Sequence, residues 1–159
     1  MVLPISVMPI DFDTILPVWQ QFLWPGRGST IRPVCPMLFL GGYDMKVCDK
    51  YVEDTVFYGA YDSSNLLCAV CSGHPTSATD YRLRGLYCLP DYESLGLRQN
   101  MIQAIYNAAK AVKRDVVWCM PRLGAVDFFE RSGFVQMSEP FIDNVEYGPN
   151  VYMARMITV

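Results

Sequence analysis

The chain has 159 residues, 52% hydrophobic and 18% charged, with 13 Lys+Arg against 16 Asp+Glu for a net charge of −3. This content predicts one domain over residues 1–159 with a sizeable core and excludes a disordered chain. It also excludes a sequence-independent nucleic-acid binder, which needs a basic face, and no apolar run is long enough to span a bilayer.

Residues 1–10 hold two prolines and no basic leader, so no secretory signal is expected. The six cysteines, Cys35, Cys48, Cys68, Cys71, Cys88 and Cys119, lie mostly in apolar runs and read as free thiols of a reduced, cytoplasmic protein.

In chain order, residues 5–10 form a short apolar strand candidate, followed by Asp11 or Asp13 as a helix cap. Ile15, Val18, Trp19, Phe22 and Leu23 recur at spacings of three and four, one face of a helix that Pro25 and Gly26 end. An irregular stretch through Pro33 and Pro36 leads to an apolar run at 37–40, and polar residues 50–54 suit a short helix. Residues 56–61 and 66–72 read as a hairpin across Asp62-Ser63-Ser64-Asn65.

Cys68 and Cys71 have the C-x-x-C spacing with His74 close by. In a strand, positions i and i+3 point to opposite faces, so the two sulfurs should not converge on a metal, and a second Cys/His pair is missing. His74, next to Pro75, reads as a loop residue, and no metal site is expected.

Residues 82–89 form a third strand run after a polar loop at 76–80. Residues 96–113 carry a helical stripe of Leu97, Met101, Ile102, Ile105, Ala108, Ala109 and Val112. Residues 115–120 read as a buried strand and 125–131 as a short helix stopped by Gly133. Two last strands, 134–137 and 151–158, flank an acidic and aromatic loop at 138–150. This order predicts an α+β fold, a mixed and mostly antiparallel sheet flanked by helices.

Two segments carry the functional signal. Leu86-Tyr87-Cys88-Leu89 ends at Pro90, and Glu93-Ser94-Leu95-Gly96-Leu97-Arg98 opens into the long helix. A strand, a tight loop and a helix N-terminus aim backbone N–H groups at one point, as a phosphate-bearing ligand requires. About thirty residues later comes Ala125-Val126-Asp127-Phe128-Phe129-Glu130-Arg131-Ser132-Gly133-Phe134.

These two segments, in this order, resemble the acyl-CoA-binding and C-terminal motifs of the GNAT superfamily of N-acetyltransferases. The resemblance implies an acetyl-CoA-dependent enzyme acting on a small-molecule or protein amine, with a homodimer among the expected assemblies. Gly96 matches the central glycine of the family loop. Glu93 stands where the family has Arg or Gln, Arg98 where it has Gly or Ala, and Arg122 where many members have Asn.

The implied CoA-binding residues are Cys88, Leu89, Glu93, Ser94, Leu95, Gly96, Leu97, Arg98, Gln99 and Arg122. The family's acid, a tyrosine, corresponds to Phe129, which has no proton to give. Tyr87 and Cys119 are the substitute acid candidates, and the carboxylate some members place early in this strand falls at Arg82. The loops at 24–36 and 138–150 are implied to select the substrate, the latter with Glu139, Asp143, Glu146 and Tyr147. A non-catalytic acyl-CoA-binding module, or an interaction protein without CoA, are the alternative expectations.

Overall fold

The computed structural model describes residues 5–26, 31–35, 37–43, 54–142 and 148–157. Its seven-stranded sheet has the order β1-β4-β5-β6-β7-β9-β8, beside a small ribbon of β2 (Met37–Leu38) and β3 (Gly42–Tyr43). The large sheet comprises β1 (Ser6–Pro9), β4 (Val56–Tyr61), β5 (Leu67–Pro75), β6 (Asp80–Cys88), β7 (Val116–Cys119), β8 (Val135–Gln136) and β9 (Met153–Met156). Every neighbouring pair in it is antiparallel except β6 and β7, which run parallel. The expected mixed, mostly antiparallel α+β architecture is therefore the one observed.

Helix α1 (Phe12–Val18) starts at Asp11, whose carboxylate accepts from the Thr14 backbone N–H at 2.8 Å and from the Thr14 hydroxyl at 2.7 Å. It continues as a π-helical turn, Trp19–Leu23, and packs Ile15 and Trp19 on one face of the sheet with Trp24 and Val70. Helix α2 (Leu97–Ala111) buries Leu97, Met101, Ile102, Ile105, Tyr106 and Ala109 in the main core. The short α3 (Val126–Arg131) adds Phe128 and Phe129 to that core. A third cluster, centred on Trp118 and Tyr152, lies under the β2–β3 ribbon.

Several local expectations need correction. His74 is not in a loop: β5 pairs with β6 as far as Pro75 opposite Tyr81, and this leaves His74 buried opposite Arg82. Cys68 and Cys71 do not point to opposite faces. β5 carries one extra residue against β4 at Cys68, which breaks the alternation, and both cysteines pack into the main core. The helix proposed at 50–54 lies outside the described residues apart from Asp54. Among the described residues, no helix is long and apolar enough to cross a membrane, and no group of three His, Cys, Asp or Glu is placed to hold a metal.

Candidate functional site

The site begins where β6 and β7 part. Their parallel pairing runs from Asp80↔Val116 to Arg82↔Trp118 and goes no further. Past that point β6 bulges. Between Val70↔Tyr87 and Ser72↔Arg84, three steps along β6 match two along β5, and Gly85 takes φ +67°. A right-handed strand residue cannot adopt that angle cheaply, so glycine is required there.

The opening holds a cavity of about 180 Å³, walled by Arg82, Arg84 and Gly85 of β6, Cys119 of β7, Phe129 of α3 and Asn150. Leu23 and Trp24, at the end of the π-helical turn, close one side.

Among the described residues, the charged side chains that wall the cavity are arginines. Arg84 is buried between the rings of Trp19 and Trp24, its guanidinium 4.9 Å from each centroid, and it donates to the Arg32 carbonyl at 2.9 Å. Arg82 is buried with its guanidinium 5.1 Å from the Trp118 ring. Arg122 donates to the Leu23 carbonyl and so joins the loop after β7 to the end of the π-helical turn. Among the described residues no carboxylate lines the cavity.

β6 leads from this cavity to the predicted loop. Residues Pro90–Leu95 form a 3-10 turn rather than an irregular loop, and Gly96 follows it with φ +72° and ψ +20°. No side chain caps the start of α2. A Cβ built on Gly96 would meet nothing within 4 Å, so the side of Gly96 where it would lie is open. These features together suit an anionic group held by first-turn N–H groups.

The turn is anchored at both ends. The Tyr92 hydroxyl donates to Asp62 at 2.7 Å, and Asp62 also accepts from the backbone of Ser64 and Leu66. Gln99 donates through its side chain to the Ser132 hydroxyl at 2.9 Å, which fixes the first turn of α2 against the end of α3.

The predicted residues divide between these places. Glu93, Ser94, Leu95, Gly96, Leu97, Arg98 and Gln99 gather around the start of α2, with Cys88 and Leu89 just before it. Arg98 does not turn toward Glu93. Its guanidinium lies over the Phe128 ring, 4.1 Å from the centroid. Burial pushes the Cys88 thiol up to about 11; Glu93 adds to the rise and Arg98 opposes it.

Cys119 and Arg122 line the cavity, as does Phe129, whereas Tyr87 does not. Tyr87 stacks on Phe22 at 4.7 Å on the α1 side of the sheet, and burial raises its pKa. Burial also raises the Cys119 thiol far above its ordinary range, which makes it a hydrogen-bond donor but a poor acid.

Arg84, Gly85 and Asn150 went unread as site residues. Arg82 and Arg84, two residues apart in a strand otherwise rich in apolar groups, were the available signal for a charged pocket. Nothing near Asn150 in the sequence distinguishes it. Asp143, Glu146 and Tyr147 lie outside the described residues.

No protein-family model matches the sequence, and no curated protein matches it significantly. The fold does match solved structures. A GNAT-family acetyltransferase from Staphylococcus aureus superposes with a TM-score of 0.67 at 11% identity, over 98% of this chain and 100% of that one. The ribosomal-protein-S18-alanine N-acetyltransferase of Escherichia coli gives 0.66 at 14% identity, over 98% and 96%. An aminoglycoside 6′-N-acetyltransferase complexed with coenzyme A gives 0.68 at 12% identity, over 97% and 98%. At these identities the likeness is one of fold.

Proposed function

Because this chain has the GNAT fold, we propose that it transfers an acetyl group from acetyl-CoA to an amine in a reduced, cytoplasmic setting. One observation carries the reading. The strand that walls the cavity, β6, leads through the Pro90–Leu95 turn to an uncapped helix N-terminus, with open space where a Gly96 Cβ would lie.

Acetyl-CoA fits these residues. The N–H groups of Leu97, Arg98 and Gln99 would hold its pyrophosphate, and Arg98, fixed on Phe128, would add a positive charge beside it. When bound, it supplies an activated thioester. The bulge at Gly85 leaves β6 backbone on the cavity wall, where an N–H can polarise a carbonyl oxygen.

The chain's own residues have two further tasks. The acceptor nitrogen must be neutral to attack, and desolvation against Leu23, Leu83, Leu86 and Phe129 on the cavity wall favours the neutral amine. Cys119 can donate a weak hydrogen bond from the cavity wall, while its raised pKa leaves final protonation of the departing thiolate to water. Among the described residues, the buried free thiols of Cys68, Cys71, Cys88 and Cys119 support the reduced setting.

The test is release of free thiol from acetyl-CoA in the presence of a panel of amines. Amine-dependent release supports the enzyme. CoA binding without release by any amine would instead support a non-catalytic acyl-CoA-binding module, which Phe129 in place of a proton donor would favour.

A further inference from the structure

The cavity lies between the two faces of the sheet. Ala125 and Phe129 wall it from the main core, whereas Leu23 and Trp24 pack in the cluster that holds Trp19 and Val70. Val70 of β5 joins that second cluster while its neighbours Ala69 and Cys71 join the main core, so the two clusters cover opposite faces. The start of α2 is on the main-core side. There Arg98 lies over Phe128 and Gln99 donates to Ser132, both close to Phe129 in the chain. An acyl-CoA held at the start of α2 therefore reaches the cavity past Phe129, and its acyl end faces Leu23 and Trp24.

That far wall is fixed in place. The Trp24 backbone N–H donates to the Trp19 carbonyl at 2.8 Å, and the two rings meet edge-on at 5.1 Å. The Arg84 guanidinium lies 4.9 Å from the Trp24 ring and donates to the Arg32 carbonyl at 2.9 Å. Arg122 donates to the Leu23 carbonyl. Both arginines thus hold the wall, and Trp24 is only 7% exposed. A close-packed wall yields little, so each methylene pressed against it must displace packed atoms.

We propose that Trp24, with Leu23, sets the acyl length of the donor, admitting acetyl and turning away butyryl and longer chains. This rests on the acetyl-transfer reading and deepens it by naming the residue that selects the donor. The cavity volume of about 180 Å³ also has to hold the thioester and the attacking amine. In the transfer, the C–N bond to the acyl carbon forms and the C–S bond breaks. One proton leaves nitrogen and one reaches sulfur, while the tail of the acyl group stays against Trp24.

The experiment measures thiol release from acetyl-, propionyl- and butyryl-CoA, each with the amine of the panel that releases most thiol from any of the three. In the wild type, kcat/KM should fall by about tenfold or more from acetyl to butyryl, since one methylene in a shaped apolar pocket is worth ~10–200-fold. Trp24→Leu should raise the ratio of butyryl to acetyl kcat/KM by about tenfold or more. That ratio is insensitive to a general loss of folded protein, which lowers both donors alike.

A wild type that uses butyryl-CoA as well as acetyl-CoA would overturn the length limit while the thiol release itself upheld acyl transfer. An unchanged donor ratio in folded Trp24→Leu would overturn the role of Trp24. Thiol release from none of the donors with any amine would sink the transfer reading and this inference with it. Should Trp24→Leu fail to fold, Leu23→Ala, at a half-buried position on the same wall, takes its place: a raised ratio supports the wall and an unchanged one overturns it.

Discussion

The indole N–H of Trp19 donates to the carbonyl oxygen of Gly85 at 2.9 Å, and a Cβ added to Gly85 would lie 2.4 Å from that same ring. The bulge that opens the cavity is thus held from the α1 side by one buried tryptophan. Gly85→Ala would have to bear both a positive φ and a clash with a fully buried ring. An unfolding free energy lower by about 3 kcal/mol or more is expected, from about 1–2 for the angle and 1–3 for overpacking. Chemical denaturation measures it, and a Gly85→Ala protein as stable as the wild type would contradict this role for the pair.

Arg98 over Phe128 places a cation at the start of α2 that Glu93 does not neutralise by direct contact. Arg98→Ala should weaken CoA binding by about tenfold or more, the worth of one charge-assisted contact. Glu93→Gln should strengthen it by removing a negative charge beside the phosphates. Titrations of the two variants that gave unchanged affinity would refute this electrostatic account.

Phe129 lines the cavity and touches Phe128 and Phe134 at ring distances of 5.2 and 5.3 Å. Phe129→Tyr adds a hydroxyl at the place where the GNAT family carries its acid. If water protonates the thiolate as proposed, turnover should rise by less than the ~10²–10⁴-fold that general-acid help is worth. Turnover and melting temperature are compared in parallel. A stable variant with unchanged turnover would show that thiolate protonation does not limit the rate.

The Tyr92 hydroxyl, aided by the Leu66 and Ser64 backbone N–H groups, holds the Asp62 carboxyl below its ordinary pKa. A depressed folded-state value stabilises the protein above the unfolded pKa of about 3.9, and that stability is lost as pH falls through the folded value. Asp62→Asn should therefore melt below the wild type at pH 7, with the gap closing below about pH 4. Thermal melts across that range check the sign, and a gap that widened at low pH would reverse it.

The sequence made the elements and the loop legible because each rests on local physics. The stripe from Leu97 to Ala109 has helical period, and Gly96 precedes an apolar run that can only be its helix. The pocket was less legible because it forms from long-range geometry. The early end of β6–β7 pairing at Arg82↔Trp118 leaves no local trace, and Asn150 reaches the cavity only through its bridges to Arg122 and Phe141. His74 was read as a loop residue because β5 pairs three residues beyond its apolar run.

The central claim is that the space above Gly96 holds the pyrophosphate of CoA. Isothermal titration of CoA into the wild type and into Gly96→Asp tests it most directly, with melting temperatures to show that both are folded. A Cβ at Gly96 meets no protein atom, so a carboxylate there points into the space reserved for phosphate. The account predicts one CoA bound per wild-type chain and none by the folded variant. Equal CoA binding by the folded Gly96→Asp protein, or none by the wild type, would contradict it.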